Sequence, residues 1–415
     1  MRKIYLDKPV LVSQNPNEPM RAGGWQNPSI RNADGVLYIR FRGVKDAYEN
    51  LDGANRNPVY RSTDGGSTWE QEKNNAKAWA MAQKPIANGD RVTFEGPGYI
   101  TETSAFPKPA PERSGQNVKK PNFVGVYTND EIRPFVGDEA LAHSLICRRI
   151  KKGTDEMEVH KCKVDWKNAK GNVLIYNGYV SISQYLCGEY RVDKDGTIYM
   201  PASGMMLLPD GSLASRYSSM FFLKSTDNGY SWEYVGGIPY KEEYNVPNAI
   251  EVEGFMECCF EIAEDGSFFT IMRSGSLSPY VRGDDEHPAP KCFIAYSYDK
   301  GKTWTTPEVF YDYGILPRST KLSDGTFLMT SGRPDVYIRL SKDKLGKDWG
   351  EVIHVLEVPE KDKYLAYEQY TCSNNGVCAY DDHTAFVTYS DLQAKTPDGV
   401  RANSIFVRKI TITEE

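Results

Sequence analysis

The sequence predicts an all-β chain folded as one closed ring of small antiparallel sheets, a β-propeller, and three observations carry that reading. A ten-residue pattern, RSTDGGSTWE at 61–70, returns as KSTDNGYSWE at 224–233 and YSYDKGKTWT at 296–305. Asp-Gly pairs precede alternating apolar runs in NADGVLYIRF, DKDGTIYMPA, LPDGSLAS, AEDGSFFTIM and LSDGTFLMTS. No long stretch carries the 3.6-residue periodicity of an amphipathic helix.

Each element has its own physical reason. NPVYRS, MFFLKS and CFIAYS, which lead into the three repeats, are rich in β-branched and aromatic residues and read as strands. The Asp of each repeat (Asp64, Asp227, Asp299) accepts hydrogen bonds from N–H groups just ahead of it, and the following Gly supplies a positive φ. These aspartates are therefore structural. The Trp that follows (Trp69, Trp232, Trp304) opens the next strand and offers a large apolar plate to a neighbouring sheet. A looser copy, LSKDKLGKDW, carries Ser341, Asp343, Gly346 and Trp349. Asp-Gly is a strong short-range hairpin signal. The closing SIFVRKITIT (Ser404–Thr413) alternates like a strand and is expected to pair with the N-terminal segment. With no linker or low-complexity tract, residues 1–415 are expected to form one domain, and ring closure leaves few sheet edges exposed.

Composition narrows the function. The chain has 415 residues, 40% hydrophobic and 12% aromatic, enough for a large core. A net charge of −6 without a dense basic run argues against nucleic acid. No apolar run approaches membrane length, so no membrane partner is expected. MRKIYLDKPVLVSQ lacks the apolar segment of a secretory signal, so the chain as written reads as cytoplasmic; one from which a signal had been trimmed, secreted or periplasmic, would read the same. Eight cysteines without a CxxC pair form neither a disulfide nor a zinc framework by spacing, and the five histidines show no HExxH or HxxxH pair. Neither metal nor cofactor is expected. Cys258 and Cys259 are expected on opposite faces of one strand, as buried thiols. RGDDEHPAP (282–290) reads as a solvated acidic loop.

The repeated turn resembles the Asp-box, and its recurrence along an all-β chain is similar to the sialidase (neuraminidase) superfamily of six-bladed propellers. The resemblance covers most of the chain. It implies six four-stranded antiparallel blades, with the boxes away from the active site, so function rests on other residues.

The resemblance implies an acid/base Asp in a Gly-containing loop before the first box, which matches Asp52 in ENLDGANRNPVYRSTDGG, with Asp46 as alternative. It implies a Glu and an Arg spanning a DG hairpin, matched by Glu257 and Arg273 in MECCFEIAEDGSFFTIMRSGS, with Glu261 as alternative. A further Arg matches Arg333 in SGRPDVYIRLSKDKLGKDW, with Arg339 as alternative. The nucleophile motif matches Tyr370 in EQYTCSNNGVCAYDDHTAFVTYSD, with Tyr367 and Tyr389 as alternatives. One position departs. The family's first arginine, in an Arg-Ile-Pro motif, is replaced by Gln26 in GGWQNPSIRN; Arg21, Arg40 and Arg42 are near in sequence without matching the motif. Trp25, Tyr48 and Tyr280 are aromatics expected to stack on a sugar.

Sugars of this class carry a carboxylate on the anomeric carbon, which repels a carboxylate nucleophile but not a phenol; sialidases accordingly depart from the two-carboxylate scheme. By resemblance Tyr370 would attack with Glu257 as its base, and Asp52 would serve as acid and then base. Arg273 and Arg333 would clamp the sugar carboxylate with the fork geometry that Lys lacks. Replacing one arginine by Gln26 would weaken that grip by about 1.5–3 kcal/mol, which points to an altered substrate as readily as to an inactive site. The implied function is a retaining exo-glycosidase acting on a terminal 2-keto-3-deoxy acid sugar, sialic acid or a Kdn/Kdo type. The partner is thus an anionic carbohydrate; oligomeric state is open. Two other readings remain: a lyase or hydrolase of uronic-acid polysaccharides, and a non-catalytic carbohydrate-binding or protein-interaction propeller.

Overall fold

In a computed structural model, residues 2–15, 24–43, 57–95, 101–102, 113, 125–142, 145–175, 179–181, 188–247, 249, 251–277, 290–333, 335–359 and 374–414 are described. Their strands fall into six successive antiparallel groups along the chain, hereafter the first to sixth sheets. The first runs Gln26–Ala33, Val36–Arg42, Val59–Ser62 and Glu70–Gln71. The second comprises Arg91–Glu95, Leu145–Ile150 and Met157–Asp165. The third comprises Arg191–Val192, Ile198–Gly204, Ser219–Ser225 and Ser231–Ile238. The fourth holds Glu251–Ile262, Phe268–Leu277, Cys292–Ser297 and Glu308–Tyr311. The fifth holds Ile315–Lys321, Phe327–Gly332, Val336–Leu340 and Ile353–Leu356. The sixth joins Asn375–Ala379, Thr384–Asp391 and Asn403–Glu414 to the N-terminal strand Arg2–Leu6. Residues 163–165 pair in parallel with 231–233, so the second and third sheets share a seam. A small four-stranded sheet from residues 101–181 stands apart from the six.

The expected pairing of the two chain ends is present: Arg2 lies opposite Glu414 and Leu6 opposite Ile410. Alternation explains why: Ile410 and Ile412 are buried on one face of the last strand, and Ile405 and Val407 on the other.

The inner strands of the fourth, fifth, sixth and first sheets run parallel to one another. The Leu316 N–H donates to Glu257 (2.8 Å) and, further along both strands, the Ser319 hydroxyl donates to Glu261 (2.7 Å). Ala379 N–H donates to the Thr320 hydroxyl at 3.1 Å, and Asn32 Nδ2 donates to the carbonyls of Ala379 and Tyr380. Gly376 lies so close to the start of the first sheet that a Cβ there would meet the Pro28 carbonyl at 2.9 Å. All four strands therefore begin at the same end of the molecule, called here the upper end. Every Asp-Gly hairpin that joins a first to a second strand is at the lower end.

The recurring turns join third to fourth strands and so also lie at the lower end. In the first, Ser62 Oγ donates to Asp64 and accepts from the Gly66 N–H. Asp64 accepts from the N–H and hydroxyl of Thr68, and Trp69 Nε1 donates to the Gly66 carbonyl at 3.0 Å. The turns at Asp227 and Asp299 repeat these bonds. At Asp343 one more residue separates the Asp from its Gly, and the carboxylate takes the N–H groups of Lys347 and Asp348 instead. Gly66 has φ +86°, and a Cβ on it would strike Phe386 at 2.9 Å, so only glycine fits. The Trp plates pack as expected: Trp304 stacks on Phe222 with centroids 4.1 Å apart.

Apolar clusters lie between neighbouring sheets. Cys258 joins the one shared with Tyr199, Phe222 and Phe268, and Cys259 the one shared with Phe327, Met329 and Tyr337, so the adjacent thiols do face opposite ways. Among the described residues, two α-helices depart from the all-β expectation. Helix α1 (Asn75–Met81) is capped by the Asn74 side chain, which accepts from the Lys77 N–H, and it buries Trp79. Helix α2 (Asn129–Ala142) contains Pro134 and breaks at Gly137, φ 78°. Neither is long enough for a periodic apolar stripe to stand out in sequence. No helix among the described residues is long and apolar enough to cross a membrane.

Candidate functional site

Glu257 and Arg273 occupy adjacent strands of the fourth sheet, where register slips between Phe255 and Cys258 set them side by side. Arg273 Nη1 lies 3.1 Å from Glu257 Oε2, and both side chains are largely buried, 9% and 13% exposed. The same carboxylate oxygen accepts the Leu316 N–H from the fifth sheet. Burial alone would raise the Glu257 carboxyl. Arg273, the Leu316 N–H and Arg318 outweigh it and hold the group below the ordinary carboxylate range. At neutral pH Glu257 is therefore a buried, oriented anion.

Arg333 follows directly on Gly332, which pairs with Ile315 beside Leu316, so it enters the same upper end. It is buried and held at φ 56°. Gln26 opens the inner strand of the first sheet at that end and is buried, and its Nε2 has no hydrogen-bond partner among the described residues. Its cross-strand partner is Arg42. Directly paired residues project on one face of a sheet, so the sheet brings a guanidinium to the position next to the amide.

Backbone strain marks this end. Trp25, Asn27, Leu316 and Arg333 all have positive φ, between 46° and 56°. Such a conformation costs roughly 1–2 kcal/mol for a residue with a side chain, and it persists where packing over-determines it, often at functional sites. The remaining non-Gly cases fall in turns rich in Asn, Asp and Lys.

The other sequence-derived residues separate clearly. Asp52, Asp46, Tyr370, Tyr367, Arg21, Tyr48 and Tyr280 lie outside the described residues. The chain leaves the described region at Gly43 and Pro359 and re-enters at Asn57 and Asn374, around the Asp52 and Tyr370 segments. Of the alternatives, Glu261 is engaged elsewhere: it takes both Arg191 (2.7 and 2.8 Å) and the Ser319 hydroxyl, four residues deeper than Glu257. Arg339 donates to the carbonyls of Gly350 and Phe310 and covers the Phe310 ring. Tyr389 is core, packed on Phe406, and burial pushes its phenol up. Trp25 also packs inward, against Phe41, with its Nε1 donating to Ser13.

Below the upper end lies a polar axis that sequence reasoning missed. Ser29, Glu189, Arg191, Arg318, Ser319 and Gly376 border one cavity there. A second, of about 130 Å³, adds Arg31, Arg40, Trp79 and Glu95. Residues from all six sheets or their immediate flanks thus border the axis. Arg31 bonds Glu189 and, with Arg40, covers the Trp79 ring at 3.7 and 4.6 Å. Burial and the nearby Arg31 charge pull the Arg40 guanidinium down to about 10, so it stays cationic at neutral pH. The available signal was polar residues on strands that face no solvent, but one strand cannot reveal that its polar face meets five others.

No protein-family model matches this chain, and no curated protein matches it by sequence. Solved structures do. A protein of unknown function from Dyadobacter fermentans is similar over 99% of both chains, at 17% identity and a TM-score of 0.61. A structure of NanB, a Streptococcus pneumoniae sialidase, is similar over 96% of this chain and 70% of its own, at 11% identity and a TM-score of 0.51. The Hadza microbial sialidase Hz136 aligns over 94% of this chain and 65% of its own, at 15% identity and a TM-score of 0.49. At these identities the likeness concerns the fold, which is sialidase-like.

Proposed function

We propose that this chain, with its sialidase-like fold, is a retaining exo-glycosidase that removes a terminal 2-keto-3-deoxy acid sugar, sialic acid or a Kdn/Kdo type, from a glycan. In this reading the six sheets are the blades of one propeller spanning 1–415, the recurring turns are Asp-boxes, and the upper end is the active-site mouth. The observation that carries it is the buried Glu257–Arg273 pair with its Leu316 N–H: an oriented base beside a carboxylate-binding cation at the inner-strand ends.

The roles follow from the chemistry. Arg273 and Arg333 grip the substrate carboxylate. The Tyr370 oxygen attacks the anomeric carbon as its proton passes to Glu257, and the glycosidic C–O bond breaks while Asp52 protonates the leaving oxygen. In the second step the Asp52 carboxylate takes a proton from water, the water oxygen displaces the Tyr370 oxygen, and Glu257 returns the proton to the phenol. Gln26 gives the carboxylate a neutral hydrogen bond in place of a third arginine, and Arg42, paired with it, supplies nearby positive charge.

The test is a panel of methylumbelliferyl α-ketosides of N-acetylneuraminic acid, Kdn and Kdo, plus a glucuronide, with wild type and Tyr370→Phe. Turnover of a ketoside that the mutant loses while staying folded supports the assignment and names the sugar. Silence on every ketoside overturns it. In that case a new ultraviolet absorbance from uronate oligomers would indicate a lyase, and binding without turnover a lectin-like propeller.

A further inference from the structure

We propose that Cys147, His160 and Cys162 form a binding site for a thiophilic metal ion, with Zn²⁺ as the physiological occupant, at the seam between the second and third sheets. No CxxC or HxxxH spacing announces it. The three residues meet because two antiparallel strands set Cys147 directly opposite His160, while Cys162 lies two residues further on the same face. Their ligand atoms all lie within 4.8 Å of one another. Ligands around tetrahedral Zn²⁺, with bonds of about 2.3 Å to sulfur and 2.0–2.1 Å to nitrogen, stand roughly 3.5–3.8 Å apart, so closing on an ion needs rotamer adjustments of about an ångström or less.

Three further features favour an ion over ordinary packing. Both thiols are fully buried and His160 is partly so, so an ion held between them would be largely shielded from solvent. The His160 Nε2 is itself buried, with no hydrogen-bond partner among the described residues. A buried imidazole nitrogen without a partner is costly in a core, and a metal would satisfy it. The His160 ring is also fixed in orientation by stacking on Tyr230, centroids 4.9 Å apart and planes 19° off parallel. The nearest cation, Arg149, is offset by its own buried ion pair with Asp90 at 2.5 Å.

The site has a structural consequence. Cys162 Sγ sits 3.2 Å from the Gly229 carbonyl, and Tyr230 follows in the same recurring turn of the third sheet. Bound to an ion as a thiolate, Cys162 no longer donates to that carbonyl, so occupancy of the triad alters the contact between this turn and the second sheet, beside the parallel pairing of residues 163–165 with 231–233. Two thiolates and an imidazole select soft or borderline ions, and oxygen-preferring Mg²⁺ and Ca²⁺ are excluded.

The experiment is a Cd²⁺ titration of the reduced, chelator-stripped full chain, followed by the thiolate-to-Cd²⁺ charge-transfer band in the ultraviolet. Zinc content after purification and melting temperature with added Zn²⁺ are measured alongside. The expected result is a band saturating at one equivalent and a higher melting temperature with Zn²⁺. Cys147→Ser and Cys162→Ser abolish the band, while the control Cys378→Ser keeps it. Because buried Cys→Ser changes can prevent folding, His160→Ala is the second arm: it leaves the core thiols in place and weakens Cd²⁺ binding about tenfold or more. No one-equivalent band in wild type, a band indifferent to His160→Ala, or a Cys147–Cys162 disulfide in the protein purified without reductant each overturns the proposal. None of these readouts depends on glycosidase activity.

Discussion

Glu257 and Arg273 face each other across adjacent strands of the fourth sheet at 3.1 Å, and the Leu316 N–H of the fifth sheet donates to the same carboxylate oxygen. The pair thus links two sheets at the upper end, and its ionisation matters to stability as well as to chemistry.

The Glu257 carboxyl is depressed in the folded protein. Its stabilising contribution is therefore present above the pKa of an unfolded glutamate and is lost as pH falls through the lower, folded value. Glu257→Gln should lower stability by about 1–3 kcal/mol at neutral pH. The gap to wild type should close in acid, as read by denaturant midpoints across a pH series. A gap that stays constant into acid would contradict an ionised Glu257.

Asp52→Asn should reduce kcat/KM, which reports the first step, about 10²–10⁴-fold on a glycoside with a poor leaving group. The loss should be smaller on methylumbelliferyl ketosides, whose leaving oxygen needs little protonation. Equal losses on both substrates would remove Asp52 from the acid role.

Gln26→Arg restores a third cation beside the proposed carboxylate site, and Arg42→Gln removes the one already paired with it. On a ketoside that wild type turns over, the first should lower KM and the second raise it, each by roughly tenfold or more, the scale of one charged hydrogen bond. Unchanged KM in both variants would place the carboxylate elsewhere.

Trp304 is stacked on Phe222 at the lower end, far from the proposed chemistry. Trp304→Ala should destabilise the fold by about 3–5 kcal/mol and leave kcat unchanged in the folded fraction. Thermal melts and active-site-normalised rates separate the two effects.

Glu261 is 2% exposed at its side chain and bound by Arg191 and the Ser319 hydroxyl. Glu261→Ala leaves the partly buried Arg191 guanidinium with the more distant Glu189 carboxylate, 3.6 Å away, and should cost about 1.5–3 kcal/mol. A variant as stable as wild type would show that the axis tolerates unpaired charge.

How legible this was in sequence varies by element. The hairpins, the recurring turns and the pairing of the chain ends could be read because each is local or repeated: the Asp64 carboxylate, for example, bonds groups within four residues of itself. Helix α1 escaped because seven residues carry too little periodicity to stand out. At Glu257 and Glu261 the sequence left two carboxylates open on one strand. Their different engagements came from partners on other sheets, Leu316 and Arg273 for one, Arg191 and Ser319 for the other.

The sequence by itself determined the all-β class, the turn chemistry and the order of the Glu257, Arg273 and Arg333 motifs, since these depend on side chains bonding to nearby backbone and on period-two alternation. Only the tertiary structure decided that Gln26 stands beside Arg42, that four arginines and two glutamates meet along one axis, and that Cys147 meets His160 and Cys162. Those meetings depend on the register of strands distant in sequence. Register is set by how whole faces pack, and no short stretch of residues encodes it.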